Sequence, residues 1–292
     1  MSPRFTRRDF AAAVPFAMTA LGGGARAAVA APAPTAAQVI GRLHAQLQAE
    51  GIAILPEGKT VDRFIVGNPD LPVRGIATTF MSTLDVLQRA NAAGLSLIIS
   101  HEPTFWNHLD DVSEFGSDPT YQIKKRYAEE NGLTVWRFHD HWHRRRPDPI
   151  SSALNQRLGI GAVGGLGAAI EITPIRLGAL VRRIEVALDT PNIRFWGNPD
   201  RIVRRLSWGG HTLGQNAGRD GDVFLWPEPK EFNTFDYFRD ADELGLDRCI
   251  IGATHELMEE WGMQGPCADW VRALVPEVPV IPLRTAELYW TV

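Results

Sequence analysis

Three histidines and one aspartate crowd into five positions near the middle of the chain. They are His139, Asp140, His141 and His143, and they follow the apolar run LTVW almost directly. Imidazole and carboxylate groups without thiolates are donors that suit zinc, manganese, iron, cobalt or nickel. The segment therefore indicates a metal site, and the apolar run before it indicates a strand that delivers the ligands.

Two other segments place the same donors after apolar runs. His101 and Glu102 follow LSLIIS, and His255 follows RCIIGAT with Glu259 four residues later. If a helix begins at His255, its side chain and that of Glu259 share one face and reach the same ion or a close metal pair. For any single histidine, a loop or capping role is the simpler explanation. Three such groups, each after an apolar strand, favour a metal site.

The elements that would position these residues alternate between strands and helices. LSLIIS is typical of a strand buried on both faces, and STLDVLQRANAAG predicts a helix capped by Ser82 or Thr83. Ligand sites in open α/β sheets lie at the carboxyl ends of strands. The pattern predicts an α/β fold with mixed sheets and the metal site in a crevice.

An internal similarity indicates two related α/β units. RANAAGLSLIISHE, residues 89–102, and RDADELGLDRCIIGATHE, residues 239–256, both contain a helix end, a glycine, an apolar strand and His-Glu. The glycine-rich segment GGLGAA is the candidate boundary. We therefore expect a first unit over residues 36–163 and a second over residues 164–292, with the metal site between them.

The N-terminal segment is typical of a twin-arginine export signal. Arg7-Arg8 is followed by Phe10, a modest apolar segment and the small-x-small pattern ARA. Residues 1–35 are therefore predicted to be a signal, with a disordered tail as the alternative. Such export carries folded proteins, so we expect a periplasmic or secreted protein that takes up its metal beforehand, without a stable membrane anchor.

Composition narrows the class of protein. The chain has 292 residues, 45% of them hydrophobic, and a formal net charge of −4, so it is long enough for a large core and lacks the basic excess of a nucleic-acid binder. Cys249 and Cys267 form no CxxC pair, which argues against a thiolate zinc site and leaves a disulfide permitted but not required. The arginine run 144–146 suits either a phosphate or carboxylate contact or a solvated surface.

The motifs resemble those of the Nif-three-like family, described as dinuclear metal centre proteins and as type-two GTP cyclohydrolase I homologues. The resemblance covers nearly all of the chain after the signal. The family's HHP motif corresponds to His101-Glu102-Pro103. A family histidine with an aspartate four residues on corresponds to His139 and His143. In the first motif Glu102 stands where the family has a histidine, and in the second motif His143 stands where the family has an aspartate. If these two changes compensate, the total charge of the ligand set is unaltered.

The resemblance also implies roles for individual residues. The implied metal ligands are His101, Glu102, His143, His255 and Glu259. Asp140 is either a ligand in place of His143 or a carboxylate that orients an imidazole. The segment WPEPKEF resembles a family segment that often carries a glutamate facing the site, with Glu228 and Glu231 as candidates. Family members commonly form trimers stacked into hexamers, which implies a homo-oligomer.

These observations predict a metal-dependent hydrolase acting on a small molecule. Two divalent ions would bridge a water and lower its pKa, and Glu228 or Glu260 would move the proton. The alternative is a periplasmic protein that binds or delivers metal without catalysis. An amidohydrolase-type barrel is disfavoured, because the HxH motif comes late in the chain and no lysine follows a clear strand end.

Overall fold

The computed structural model describes residues 32–161, 168–209 and 221–289. The predicted signal, residues 1–35, lies almost wholly outside these ranges, and the predicted boundary at residues 163 and 164 lies outside them too. Both stay predictions. Among the described residues, no helix is both long enough and apolar enough to cross a bilayer.

The described residues contain ten strands in two sheets. The strands are β1 (Phe64–Val66), β2 (Ile76–Met81), β3 (Leu97–Glu102), β4 (Thr134–Arg137), β5 (Ile170–Arg176), β6 (Arg194–Trp196), β7 (Ile202–Trp208), β8 (Val223–Pro227), β9 (Cys249–Ala253) and β10 (Val280–Pro282). The first sheet has the order β1-β4-β3-β2-β10, and the second has the order β5-β7-β8-β9-β6. The last described strand therefore returns to the first sheet.

Each sheet is parallel at its centre, with one antiparallel edge strand in the first sheet and two in the second. Strands β10, β2, β3 and β4 run parallel, and β1 pairs antiparallel with β4. Strands β7, β8 and β9 also run parallel, whereas β5 and β6 pair antiparallel with β7 and β9. The predicted α/β class with two similar units and mixed sheets is confirmed.

Helices cover both faces of each sheet. They are α1 (Ala36–Ala49), α2 (Leu84–Ala92), α3 (Pro119–Glu130), α4 (Asp140–His143), α5 (Pro149–Leu158), α6 (Leu177–Leu188), α7 (Asp236–Glu243), α8 (His255–Gly262) and α9 (Ala268–Leu274). Two π-helical turns, Glu231–Phe235 and Met263–Cys267, lead into α7 and α9.

Successive side chains of the central strands point to opposite faces of each sheet, which explains why helices pack on both faces. In β3, Leu97 and Ile99 pack against α1 and α9, whereas Ile98 packs against α2 and α3. In β8, Leu225 joins the core with α5, α6 and α8, and Trp226 packs towards α7. Full burial of such a side chain contributes about 1.5–3 kcal/mol. The strand ends therefore sit on rigid platforms.

Helix starts follow from capping side chains. Thr83 accepts a hydrogen bond from Val86 N at the start of α2, which selects one of the two predicted caps. Asp148 Oδ1 accepts from Ile150 N at 3.0 Å and begins α5. The same carboxylate reaches the candidate metal centre through its second oxygen.

Candidate metal centre

Strands from both sheets bring histidines and carboxylates to one place. Strand β3 ends in His101 and Glu102, and β4 leads to His139 and the short helix α4. Strand β9 leads into α8, and this predicted helix begins at His255. Segments more than 150 residues apart in sequence therefore supply one cluster.

Three imidazoles form the first half of the cluster. One ring nitrogen each from His101, His139 and His143 lies within 4.8 Å of the others. The His101 ring centroid lies 4.7 Å from that of His139 and 4.9 Å from that of His143. Three such donors match a common protein arrangement around zinc and similar ions.

Carboxylates form the second half. Ligand atoms of His101, Glu102 and Glu259 also lie within 4.8 Å of one another. His255 Nε2 lies 3.0 Å from Glu259 Oε2 and 3.9 Å from Glu102 Oε1, so it faces the same place. His139 Nε2 lies 3.3 Å from Glu102 Oε1 and links the two halves.

Every histidine of the cluster has its Nδ1 next to an oxygen on the outer side. The contacts are His101 Nδ1 to Phe138 O at 3.0 Å, His139 Nδ1 to Asp140 Oδ1 at 2.9 Å, His143 Nδ1 to Asp148 Oδ2 at 3.0 Å and His255 Nδ1 to Glu228 Oε1 at 3.5 Å. A carbonyl or carboxylate oxygen accepts a hydrogen bond, so Nδ1 carries a hydrogen, and Nε2 has the lone pair whenever the ring is neutral. Metal-binding histidines are held in the same way.

The cluster holds balanced charges in the absence of a cation. Burial opposes the ionisation of Glu102, but the hydrogen bond from His139 and the nearby His255 outweigh it and lower the Glu102 pKa to about 2. Burial also opposes a charge on His139, yet Asp140 and Glu102 raise the His139 pKa to about 9. An ionised Glu102 therefore faces a protonated His139.

The other cluster residues follow the same logic. Burial alone would lower the pKa of His255, but Glu259 raises it well above the usual value. Burial works against the charge of Glu259, and His255 and His101 nevertheless hold the pKa of Glu259 well below normal. For His101 burial wins, and its pKa is lowered. His101 is thus a neutral donor.

Arg137 determines how Glu102 is presented. This fully buried arginine donates from Nη2 to Glu102 Oε2 at 3.0 Å and from Nε to the His101 carbonyl at 3.2 Å. Its Nη1 donates to the His108 carbonyl and lies 3.6 Å from Asp110 Oδ2. One oxygen of Glu102 is therefore engaged by the arginine, and Oε1 faces the cluster.

Asp62 organises the histidine-rich segment from 77 or more residues away. Its Oδ1 accepts from the backbone N–H groups of His139 and Asp140, and its Oδ2 accepts from His141 N at 2.9 Å. The His141 ring is buried, with Nδ1 2.6 Å from Asp62 Oδ2 and Nε2 accepting from Leu55 N. His141 is therefore a structural residue that turns α4 towards the cluster.

Two buried atoms test whether a cation fits. His101 Nε2 and Glu259 Oε2 lie 3.2 Å apart, and neither makes a hydrogen bond of normal geometry within the described part of the chain. Buried polar atoms normally have partners. A neutral imidazole lone pair and a carboxylate oxygen are both metal donors, so the residues fit a divalent cation.

The structure brings together most of the predicted ligands. The residues that converge are His101, Glu102, His143, His255 and Glu259. Asp140 instead stands behind the cluster, where Oδ2 accepts from Val61 N and Oδ1 holds His139. This position favours the orienting role of the two predicted for Asp140, because both of its oxygens are engaged there.

Two further assignments change. Glu260 points elsewhere: its Oε1 accepts from Arg284 Nε at 2.6 Å and its Oε2 accepts from Thr285 N at 2.7 Å, so it does not suit the predicted proton transfer. His139 was missing from the predicted ligands although it belongs to the imidazole group. Its position four residues before His143 was the available signal. Glu228 lies beside His255, with its Oε1 3.5 Å from His255 Nδ1, and its role in proton transfer stays a prediction.

Fold and cluster define a class: a two-sheet α/β protein whose strand ends carry histidines and carboxylates able to hold a metal. A model of the DUF34/NIF3 family, described as NGG1p interacting factor 3, matches residues 63–284. This match spans well over half of the chain, and the protein belongs to the DUF34/NIF3 family. The resemblance seen in the motifs is confirmed.

Three relatives are distant in sequence. A GTP cyclohydrolase 1 type 2 homolog of Clostridium perfringens (strain 13 / Type A) is 20% identical over 216 residues, covering 68% of this chain and 71% of that protein. The crystal structure of a Bacillus cereus protein related to NIF3 matches with a TM-score of 0.70 at 13% identity, over 90% of this chain and 100% of that one. A protein from Thermus thermophilus matches with a TM-score of 0.64 at 17% identity, over 88% of this chain and 100% of that one. At these identities the structures establish the fold.

Proposed function

We propose that the protein is a metal-dependent hydrolase acting on a small molecule, with two divalent ions in the cluster. The observation that carries the proposal is the common orientation of four histidines, each with Nδ1 next to an oxygen on the outer side and Nε2 directed into the cluster. A structural role for four unrelated histidines would not require this shared arrangement.

The ligands form two adjoining sets, with His101 within reach of both. His101, His139 and His143 would hold one ion, and His255 with Glu102 and Glu259 would hold the other. The two carboxylates contribute two negative charges, and the imidazolium protons that balance them in the metal-free protein would leave on metal uptake. Divalent ions in such a site polarise the substrate and lower the pKa of water.

Glu228 is our choice for the residue that moves the proton. Its side chain is 61% exposed, lies at the end of β8 and has Oε1 3.5 Å from His255 Nδ1. A carboxylate at the edge of the centre can take a proton from water and deliver it to a leaving group. Glu102 and Glu259 are less suited, because their oxygens face histidines or Arg137.

Metal content of purified variants tests the proposal. We expect His101→Ala and His255→Ala to lose bound metal while remaining folded, as judged by elemental analysis and circular dichroism. His108→Ala is the control, because its imidazole lies on the surface and is absent from both ligand groups. Wild-type metal content in the first two variants would end the proposal.

Turnover separates an enzyme from a metal-binding or metal-delivery protein. Metal-loaded protein should hydrolyse members of a panel of esters, phosphoesters and cyclic amides, with a rate that follows metal occupancy. Glu228→Gln should keep the metal and lose most of the turnover. Full occupancy with no turnover across the panel would favour the non-catalytic alternative.

We also propose periplasmic export and assembly as a homo-oligomer. Arg7-Arg8 supports the export, and family membership supports the assembly. Replacement of both arginines by lysine should retain the protein in the cytoplasm, as cell fractionation would reveal. Light scattering on the exported form measures the assembly.

A further inference from the structure

A cavity of about 280 Å³ opens beside the metal centre, at the carboxyl ends of β8 and β9. Polar residues in its lining include Asn192, Arg194, Glu228, Lys230, Thr254 and Tyr289. Thr254 directly precedes His255, and Glu228 Oε1 lies 3.5 Å from His255 Nδ1. A molecule in the cavity would therefore contact residues adjoining the candidate metal ligands.

Two cations face this cavity. The Arg194 guanidinium, half exposed, donates from Nη1 to Glu231 Oε1 at 3.0 Å and lies 5.6 Å from the Phe235 ring centroid. A guanidinium has five N–H donors, so donors remain for a ligand. Lys230 is exposed, and its ammonium group makes no ion pair within the described ranges. Glu228 is the opposing charge, and it lies against His255.

The start of α8 adds donors that do not depend on these cations. Thr254 occupies the N-cap position, yet its side chain does not cap the helix. Its hydroxyl is buried, with the residue only 6% exposed, and lies close enough to the Glu256 carboxyl to act on the Glu256 pKa as a hydrogen-bond donor. Helix N-termini attract anions through their N–H groups and dipole. The cavity therefore borders the N-terminus of α8, next to Arg194 and Lys230.

We propose that this cavity, termed the anion subsite, binds a phosphate or carboxylate group of the substrate. Arg194 and Lys230 would hold the anion beside the N-terminus of α8, and the metal centre next to it would act on a bond elsewhere in the same molecule. The cavity is slightly smaller than typical ligand sites of about 300–1,000 Å³, so it suits one small charged group. The assignment of a substrate rests on the proposed hydrolase function.

Binding of inorganic phosphate to the metal-free protein tests the subsite directly. After treatment with a chelator, the full chain is titrated with phosphate, and with acetate in a separate arm, by isothermal calorimetry. The double variant R194Q/K230Q should bind at least about tenfold more weakly, since charge-assisted hydrogen bonds to the anion are lost. The preferred anion identifies the group: tighter phosphate points to phosphoesters and tighter acetate to carboxylates.

A second basic surface provides the matched control. Arg144, Arg145 and Arg146 line a separate groove of about 730 Å³, in which Arg145 is paired with Glu50. R144Q/R146Q removes the same charge and should change anion affinity less than twofold. Equal weakening in both double variants, or no saturable binding to the wild type, would overturn the proposal.

One further variant separates this proposal from the metal proposal. Metal-free His101→Ala should bind the preferred anion as tightly as the wild type, because His101 is absent from the cavity lining. Loss of anion binding in His101→Ala would place the anion in the metal cluster and refute the subsite. Retained metal in His101→Ala would instead refute the metal centre, and the anion titration would still decide the subsite.

Discussion

The two halves of the protein carry the same dipeptide at equivalent points and use it differently. His101-Glu102 ends β3 of the first sheet, and His255-Glu256 follows β9 of the second. Both residues of the first pair belong to the candidate metal centre, but only the histidine of the second pair does. Its acidic partner is Glu259.

Local geometry explains the difference. Strand β3 continues through Glu102, where Arg137 anchors one oxygen and directs the other inwards. In α8 successive side chains are turned by about 100°, so the residue four positions on shares the face of His255. Glu256 is thus buried on another side, where burial raises its pKa. Similar sequence gives different ligands because one dipeptide lies in a strand and the other begins a helix.

Replacing Glu259 and Glu256 one at a time by glutamine should distinguish the roles of these two glutamates most clearly. Each replacement exchanges one carboxylate oxygen for an amide nitrogen on the same helix. Glu259→Gln removes a carboxylate shared by His101 and His255, and we expect metal affinity to fall by about a thousandfold. Glu256→Gln is the matched variant on the same helix and should bind metal within about threefold of wild type. Calorimetric titration with zinc measures both. Comparable losses would show that the two glutamates are equivalent.

A second comparison, within the first half of the protein, contrasts His139 with His141, only two positions further along the chain. His139→Ala removes a predicted donor and, at pH 9.5, where protonation of its ring no longer contributes stability, should weaken metal binding about a hundredfold with little unfolding. His141→Ala should leave the Asp62 carboxylate and Leu55 N–H without their ring partner, and should cost about 2–4 kcal/mol of stability. Zinc titration and urea denaturation of both variants measure the two effects. A loss of stability in His139→Ala together with a loss of metal affinity in His141→Ala would show that His141 is the ligand and His139 the structural residue.

Sequence patterns are sufficient for much of this site. Apolar runs such as LSLIIS identify strands, and donors directly after them fall at the strand ends whatever the details of packing. The spacing of His255 and Glu259 identifies a helical pair, because a helix repeats every 3.6 residues. These are local relations, which short stretches of sequence contain.

Contacts between segments that lie far apart in sequence could not be predicted from these local patterns. Asp62 organises the HDHWH segment across 77 to 79 residues, and no spacing rule connects them. No sequence pattern indicated a function for Arg137, a strand residue, whereas the structure places its guanidinium against the Glu102 carboxylate. The role of Glu260 depended on the approach of Arg284, which lies beyond the next helix. Long-range pairing decides which of several similar residues faces the site.

Metal binding should strengthen as pH rises. Below about pH 9 His139 is protonated in the metal-free protein, and His255 is protonated as well, so an ion must displace these protons. We expect affinity to rise about tenfold per pH unit for each proton released, and the His139 contribution to end near pH 9. Calorimetry in buffers of different ionisation enthalpy counts the protons. His139→Ala should release fewer, and unchanged release would contradict the assignment.

The pH dependence of stability in the metal-free protein has the opposite sign to that of metal affinity, because the contribution of His139 to the free energy of unfolding falls as pH rises. The raised pKa of His139 contributes stability that is fully present below its unfolded pKa, about 6.5, and is lost as pH rises through about 9. Urea denaturation of chelator-treated protein should therefore reveal lower stability at pH 9.5 than at pH 6.5 from this residue. His139→Ala should reduce that difference, and an unchanged difference would assign it to other groups.

The smallest expected effect concerns the carboxylates behind the histidines. Asp140 Oδ1 lies 2.9 Å from His139 Nδ1, whereas Glu228 Oε1 lies 3.5 Å from His255 Nδ1, so the first imidazole is held more firmly. Outer carboxylates of this kind change metal affinity by about 10–100-fold. We expect about tenfold for Asp140→Asn, the low end because Asp140 is partly exposed, and only about two- to threefold for Glu228→Gln. Zinc titration of the two variants at one pH gives the comparison. Equal losses would mean that the two halves orient their imidazoles equally well, and a larger loss for Glu228→Gln would make the helix-borne histidine the more dependent on its outer carboxylate.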